Sequence, residues 1–193
     1  MNRLPERDAR RPASAARHAP RPANRAPART ELAERLAEGC EELKLNLGFD
    51  ERERLLSYLD LLQRWNRVYN LTAIRDPANM LVQHLLDSLA VLRPLDEAAQ
   101  RVVASRAESG PCLLDVGSGA GLPGLALALA WPALEADLVE PVGKKAAFLR
   151  QSVAELGLAQ RVRVHEGRIQ EVRLPRAPGP AVARLRASTS LPP

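Results

Sequence analysis

Aromatic residues make up only 3% of this 193-residue chain, which excludes a nucleic-acid surface that works mainly by stacking successive bases. Cysteine is nearly missing as well. Cys40 and Cys112 stand alone, with no C-x-x-C pair and no His/Cys cluster; this argues against a disulfide framework and a zinc site and fits a reducing, cytosolic compartment. No apolar run approaches the roughly 18 residues of a membrane helix, and no signal-peptide pattern opens the chain. What is present is enough apolar sequence, 46% of residues, for the core of one ordinary domain or slightly more.

The net charge of +5 is unevenly spread. Residues 1–29 hold eight arginines against Glu6 and Asp8, residues 30–140 carry ten basic and eighteen acidic side chains, and residues 141–193 carry ten basic and three acidic ones. The electropositive part of the folded chain is therefore its last third, through Lys144, Lys145, Arg150, Arg161, Arg163, Arg168, Arg173, Arg176, Arg184 and Arg186. Such a face suits phosphate-bearing partners; a merely solvated face is the plainer alternative. Residues 1–29 interleave Arg and Ala with Pro5, Pro12, Pro20, Pro22 and Pro27. They have almost nothing to bury and are expected to be disordered, either inert, misassigned from an upstream start codon, or serving as an RNA-contacting arm or transit peptide.

From residue 30 to 93 the pattern predicts a helical unit. Thr30 N-caps a segment to about Asn46, and Asp50 caps a second in which Leu55, Leu56, Leu59, Leu62, Trp65, Val68 and Tyr69 form one apolar stripe. Asp76-Pro77 opens a third, with Met80, Leu81, His84, Leu85, Leu89 and Leu92 on a common face. Residues 94–111 read as a polar connector ending at Gly110-Pro111. Residues 112–193 then alternate strand, helix, strand, helix, strand, the signature of a parallel α/β sheet with right-handed crossovers.

The chemistry concentrates in Leu113-Leu114-Asp115-Val116-Gly117-Ser118-Gly119-Ala120-Gly121. A short apolar strand ends in an acid and then in glycines at alternate positions, where the backbone can turn with φ > 0 and approach a ligand. Ligands of open α/β sheets bind beyond the carboxyl ends of the strands. Gly119-Ala120-Gly121-Leu122-Pro123-Gly124 also fits the dinucleotide fingerprint G-x-G-x-x-G, and Glu140, 19 residues past Gly121, could hold a ribose in either kind of site. Asp115 separates the two: a carboxylate near the loop repels a pyrophosphate but suits the ammonium of S-adenosylmethionine.

With these elements placed, the chain resembles a bacterial family, the 16S rRNA (guanine-N7)-methyltransferases RsmG, also called glucose-inhibited division protein B. The resemblance rests on Trp65-Asn66-Arg67-Val68-Tyr69-Asn70-Leu71-Thr72, Arg75-Asp76-Pro77, His84-Leu85-Leu86-Asp87-Ser88-Leu89, the loop from Asp115 to Gly124, and Gly143-Lys144-Lys145 with Phe148-Leu149-Arg150, and covers about residues 35–172. It implies a class I S-adenosylmethionine-dependent methyltransferase, Rossmann-like, with an N-terminal helical cap. It also implies methylation of guanine N7 in 16S rRNA, at the guanosine of position 527 in the 530-loop region, on naked rRNA or the small ribosomal subunit. By motif matching, Gly117, Leu122 and the Ile169-Gln170 pair contact the cofactor, as does Arg184, which stands in Ala183-Arg184-Leu185 where the family carries Ser-Arg-Ala. Asp115, Gly119 and Glu140 join them on the chemistry of the loop. No general base is expected, because guanine N7 has no proton to remove; His84 and Asp87, at i and i+3, could face the cleft, or His84 could be a core histidine bonded to a neighbour.

The family resemblance implies about seven strands, whereas about four can be placed here. After Arg184 the pattern is expected to stop, leaving the sheet without its last strands and its activity reduced. An NAD-binding oxidoreductase and a non-catalytic RNA-binding remnant remain the other two readings.

Overall fold

The computed structural model describes residues 27–103, 111–174 and 183–186. Among these residues four parallel strands form one sheet: β1 (Cys112–Val116), β2 (Glu135–Glu140), β3 (Val162–Glu166) and β4 (Ala183–Arg186), in the order β3-β2-β1-β4. Helix α6 (Gly124–Ala130) returns the chain from β1 to β2, and α7 (Gly143–Glu155) from β2 to β3. The chain thus steps outward in one direction from β1 to β3, while β4 is added on the other side of β1. That reversal puts the crevice for a ligand above the carboxyl end of β1.

Among the described residues five helices precede the sheet: α1 (Arg29–Glu42), α2 (Phe49–Tyr69), α3 (Pro77–Met80), α4 (Asp87–Leu89) and α5 (Leu92–Val103), with a π-helical segment, Leu81–Leu86, between α3 and α4. Asp76 caps α3 as the sequence predicts, its carboxylate accepting from Asn79 N at 2.9 Å with Pro77 at N1. The other caps differ from expectation. Ala28 and Gly48 occupy the N-cap positions of α1 and α2, so Thr30 and Asp50 fall inside the first turns. Helix α1 ends at Glu42 rather than near Asn46, because Lys44 takes φ +56° and Leu45 N bonds back to Cys40 O at 2.8 Å. The supposed connector 94–111 begins with most of α5. Arg29, assigned by sequence to the tail, belongs to α1 and binds Glu53 and Asp60 of α2; the proposed disorder of residues 1–26 lies outside the described residues.

The apolar stripe of α2 is real as far as Trp65, but its last turn buries Asn66 and leaves Val68 and Tyr69 in solvent. The Asn66 amide explains the exchange. It accepts from Thr72 N at 2.9 Å and donates to Ile74 O at 3.1 Å, so a polar group is buried with its partners made. Cap and sheet share one core rather than forming two. Helix α6, Gly-Leu-Ala-Leu-Ala-Leu-Ala, is buried on every residue, with the sheet on one side and α2 and α4 on the other. A helix that is apolar all round has to be enclosed in this way.

Candidate cofactor and substrate cleft

The turn after β1 is fixed before any ligand is considered. Gly117 N and Ser118 N both donate to Val139 O of β2, at 2.8 and 3.1 Å, and Ser118 O accepts from Gly121 N at 2.7 Å and Leu122 N at 3.1 Å. Gly119 sits at φ +60°, and a Cβ there would meet nothing nearer than Gly117 O at 3.8 Å. Its requirement is therefore conformational, since the left-handed region strains L side chains. Gly124 is different: a Cβ would lie 2.6 Å from both Asp115 Oδ2 and Leu138 Cδ2, so glycine lets α6 sit directly on the sheet.

Two carboxylates hold the turn. Glu140, buried at the end of β2, accepts from Gly119 N at 2.7 Å and from Val142 N at 2.8 Å. Asp115 is fully buried and accepts from Gly124 N at 3.0 Å through Oδ2, while its Oδ1 has no partner among the described residues. Burial pushes the Asp115 pKa up to about 6, against the lowering effect of the Gly124 N–H. The sequence reading put Asp115 against the ligand. In the structure it lies beneath the loop, bracing the start of α6.

A cleft of about 590 Å³ opens over this turn. Of the eight residues expected to bind cofactor, Gly117, Gly119, Leu122 and Glu140 line it together. Asp115 does not, and neither do Ile169 and Gln170, which occupy a turn after β3. Arg184 is placed by register only, on β4 opposite Leu114. The cap supplies the facing wall through Leu71, Thr72, Ala73 and His84, and the start of α7 adds Val142 and Lys145. His84 Nε2 and Thr72 Oγ1 are hydrogen-bonded at 2.9 Å, and burial lowers the His84 pKa. Asp87 is exposed and does not line the cleft.

Sequence reasoning missed Tyr58. Its buried hydroxyl donates to Ala120 O at 2.6 Å, tying α2 to the glycine turn across 62 residues. The only signal was an aromatic with a polar tip at helical spacing within the apolar stripe. The basic last third is also less free than its charge suggests. Arg150 pairs with Glu166 at 2.8 Å, Arg163 with Glu135 at 3.6 Å, and Arg161 donates to the carbonyls of Trp131 and Leu134 at 3.3 and 3.1 Å.

The residues present fit S-adenosylmethionine. Glu140 keeps lone pairs for ribose hydroxyls, since each oxygen accepts only one bond here. Val142 is 41% exposed and offers an apolar surface for a purine, and the volume falls in the range of small-ligand sites.

Parallel strands whose order of addition reverses at β1, a glycine turn above that point and an acid at the end of β2 define a class I S-adenosylmethionine-dependent methyltransferase fold. Residues 51–191 match the model of the GidB family, rRNA small subunit methyltransferase G, and the chain belongs to that family. The match runs past Arg184, where the motifs read by sequence end. The chain is 49% identical over 134 residues to ribosomal RNA small subunit methyltransferase G of Methylibium petroleiphilum, covering 69% of this chain and 58% of that protein. It is 53% identical over 131 residues to the protein of that name from Leptothrix cholodnii, covering 67% and 56%. The chain thus spans somewhat more than half the length of the curated relatives it matches. Among solved structures, coclaurine N-methyltransferase bound to N-methylheliamine and SAH aligns over 77% of this chain and 40% of its own, with 15% identity and a TM-score of 0.35.

Proposed function

We propose that this chain carries the cofactor and substrate cleft of an S-adenosylmethionine-dependent methyltransferase acting on guanine N7 of 16S rRNA, in the small ribosomal subunit or in its naked RNA, and hence in the cytoplasm. Family membership supports the rRNA class of substrate. The single observation that carries the choice of cofactor is the hydrogen bond from Gly124 N to Asp115 Oδ2. A dinucleotide loop presents the first amides of its helix to a pyrophosphate. Here the protein's own carboxylate takes the first of those amides, and Glu140 takes the Gly119 amide. An anionic ligand at this turn would meet two acids in place of donors, whereas a sulfonium and an ammonium meet a favourable field.

S-adenosylmethionine supplies, when bound, a methyl group on a cationic sulfur. The chain's own part is to hold and to exclude. Glu140 receives ribose hydroxyls, Val142 and Leu122 cover the purine, and Lys145 faces the cleft as the cation for a carboxylate. The cap wall of Leu71, Thr72 and His84 closes the cleft against water on the side from which a base enters. The lowered pKa of His84 keeps its ring neutral near pH 7, so it adds no charge that would oppose a cationic cofactor. Guanine N7 offers an in-plane lone pair and no proton, so alignment, rather than a general base, is what the protein contributes.

Calorimetry with S-adenosylmethionine and with NAD, on the wild type and Gly119→Val, tests the cofactor: binding of the first alone, and its loss in the variant, is expected. The base is tested by borohydride and aniline cleavage, which breaks RNA at N7-methylguanine. An rRNA cleavage pattern unchanged on deleting the gene would overturn the substrate assignment.

A further inference from the structure

A second cavity, of about 220 Å³, lies in the cap and is lined by Gln63, Asn66, Arg67, Arg75, Pro77 and Met80. Two arginines, both exposed to solvent, share its lining. Among the described residues neither has a carboxylate within ion-pair distance; Arg75 donates only to the neutral Asn70 Oδ1, at 2.7 Å. The neighbouring acid, Asp76, is committed to capping α3. The macrodipole of α2 accounts for one cation at its carboxyl end, namely Arg67, but not for a second one brought in by the following loop. Gln63 Nε2 is buried beside them with no partner. Two like charges without a carboxylate partner and an unused N–H donor around one small space are complementary to an anion, and guanidinium forks match phosphate oxygens in geometry and charge.

The position of the cavity indicates which phosphate. Loop residues 70–76 are fastened to α2 by Asn66, and this one loop gives Leu71, Thr72 and Ala73 to the cofactor cleft and Arg75 to the cavity. We propose that the cavity holds a backbone phosphate of the substrate RNA, next to the nucleotide whose base enters the cleft; this rests on the rRNA reading above. Arg67 and Arg75 grip the phosphate, Gln63 Nε2 donates a third hydrogen bond, and the loop transmits the register of the strand to the cleft.

The test is a salt-series anisotropy titration of the full chain with a small-subunit rRNA fragment. It compares wild type, Arg67→Gln/Arg75→Gln, Gln63→Leu, and Arg35→Gln as a remote loss of one positive charge on α1. The double variant is expected to weaken binding by about tenfold and to lower the salt slope by about one, with S-adenosylmethionine affinity unchanged. Gln63→Leu changes no charge, so a fall in RNA affinity of about threefold or more in that variant separates a built site from a diffuse basic surface. RNA binding by the double and Gln63→Leu variants equal to that of Arg35→Gln would overturn the proposal. Inorganic pyrophosphate is titrated in parallel. If the wild type binds it but no rRNA, and the double variant binds neither, the anion site stands and the rRNA reading fails; if the wild type binds neither, the site itself is refuted.

Discussion

Replacing Tyr58 with Phe removes one oxygen atom from the join between the cap and the cofactor turn. The hydroxyl donates to Ala120 O at 2.6 Å, and both residues are buried, Tyr58 at 0% and Ala120 at 7% exposure. Burial, reinforced by the Asp115 charge, raises the phenol pKa, so the group is a donor at every working pH. The ring stays in place against Phe148, with centroids 6.3 Å apart, and the loss is confined to the hydrogen bond. A buried carbonyl left unpaired costs about 1–3 kcal/mol; the lost hydroxyl also no longer has to be desolvated, which sets the net near 1–2 kcal/mol. With a urea dependence of roughly 2 kcal/mol per M for a domain of this size, the midpoint should fall by about 0.5–1 M at unchanged slope. Ala120 lies between Gly119 and Gly121 on the cleft wall, so its release also loosens the turn that a ligand must order. S-adenosylmethionine affinity should drop about fivefold, which corresponds to roughly 1 kcal/mol. Tyr58→Leu, which adds a cavity, should cost more in stability. A midpoint and an affinity both equal to wild type in Tyr58→Phe would refute the claim that this bond organises the turn.

Gly124→Ala places a methyl 2.6 Å from Asp115 Oδ2 and Leu138 Cδ2 and should cost about 1–3 kcal/mol, read as a lower melting temperature; an unchanged one would mean that α6 can lift off the sheet freely. Glu140→Gln turns one of two acceptors toward a backbone N–H as a donor, so S-adenosylmethionine affinity by calorimetry should fall at least about tenfold, in line with losing a hydrogen bond to a charged group. Asp115 titrates near 6 in the folded chain against 3.8 as its ordinary value, so the folded state binds the extra proton and stability falls as pH rises from about 4 to 6, by on the order of 3 kcal/mol. Asp115→Asn keeps the acceptor for Gly124 N and should remove that part of the slope; equal slopes in urea titrations of variant and wild type would count against a buried, proton-binding Asp115.

The sheet, its crossovers and the glycine turn were legible because each depends on local sequence: an apolar run, a break in period, glycines where φ must be positive. Asp76-Pro77 was legible for the same reason, its cap bond spanning three residues. The π-helical segment at Leu81–Leu86 was not. Its buried positions, Leu81 and Leu85, also satisfy an ordinary helical stripe, so nothing in the pattern marks the wider turn. Most of helix α5 fell within residues 94–111, read as a polar connector ending at Gly110-Pro111; Pro94 stands in its first turn, where proline is tolerated. Tyr58 and Asn66 escaped for a different reason: the Ala120 carbonyl is 62 residues away, and the Thr72 and Ile74 groups belong to a loop whose path no propensity specifies. Asp115 was expected to meet the ligand's cationic group, and the structure sets it beneath the turn on Gly124 N, because spacing gives the strand end but not whether its acid points above or beneath the turn.

The commitment of both acids to backbone amides, Asp115 beneath the turn and Glu140 on the cleft wall, changes what the cleft offers. A carboxylate on the cleft wall with no partner of its own would select a cation by direct pairing, at the cost of being solvated whenever the ligand is away. Asp115 and Glu140 instead spend their bonds on the amides of Gly124, Gly119 and Val142, the donors that an anionic ligand would require. On the proposed reading selection works by removing the alternative, and the turn is held by hydrogen bonds within the protein. The cap follows the same logic. Tyr58 occupies the Ala120 carbonyl, Asn66 occupies the backbone of the loop that faces it, and the His84–Thr72 bond ties that loop to the π-helical segment. These backbone polar groups are thereby satisfied within the protein, and on the proposed reading Glu140's remaining lone pairs, the Lys145 ammonium and the apolar faces of Leu122 and Val142 set what can bind.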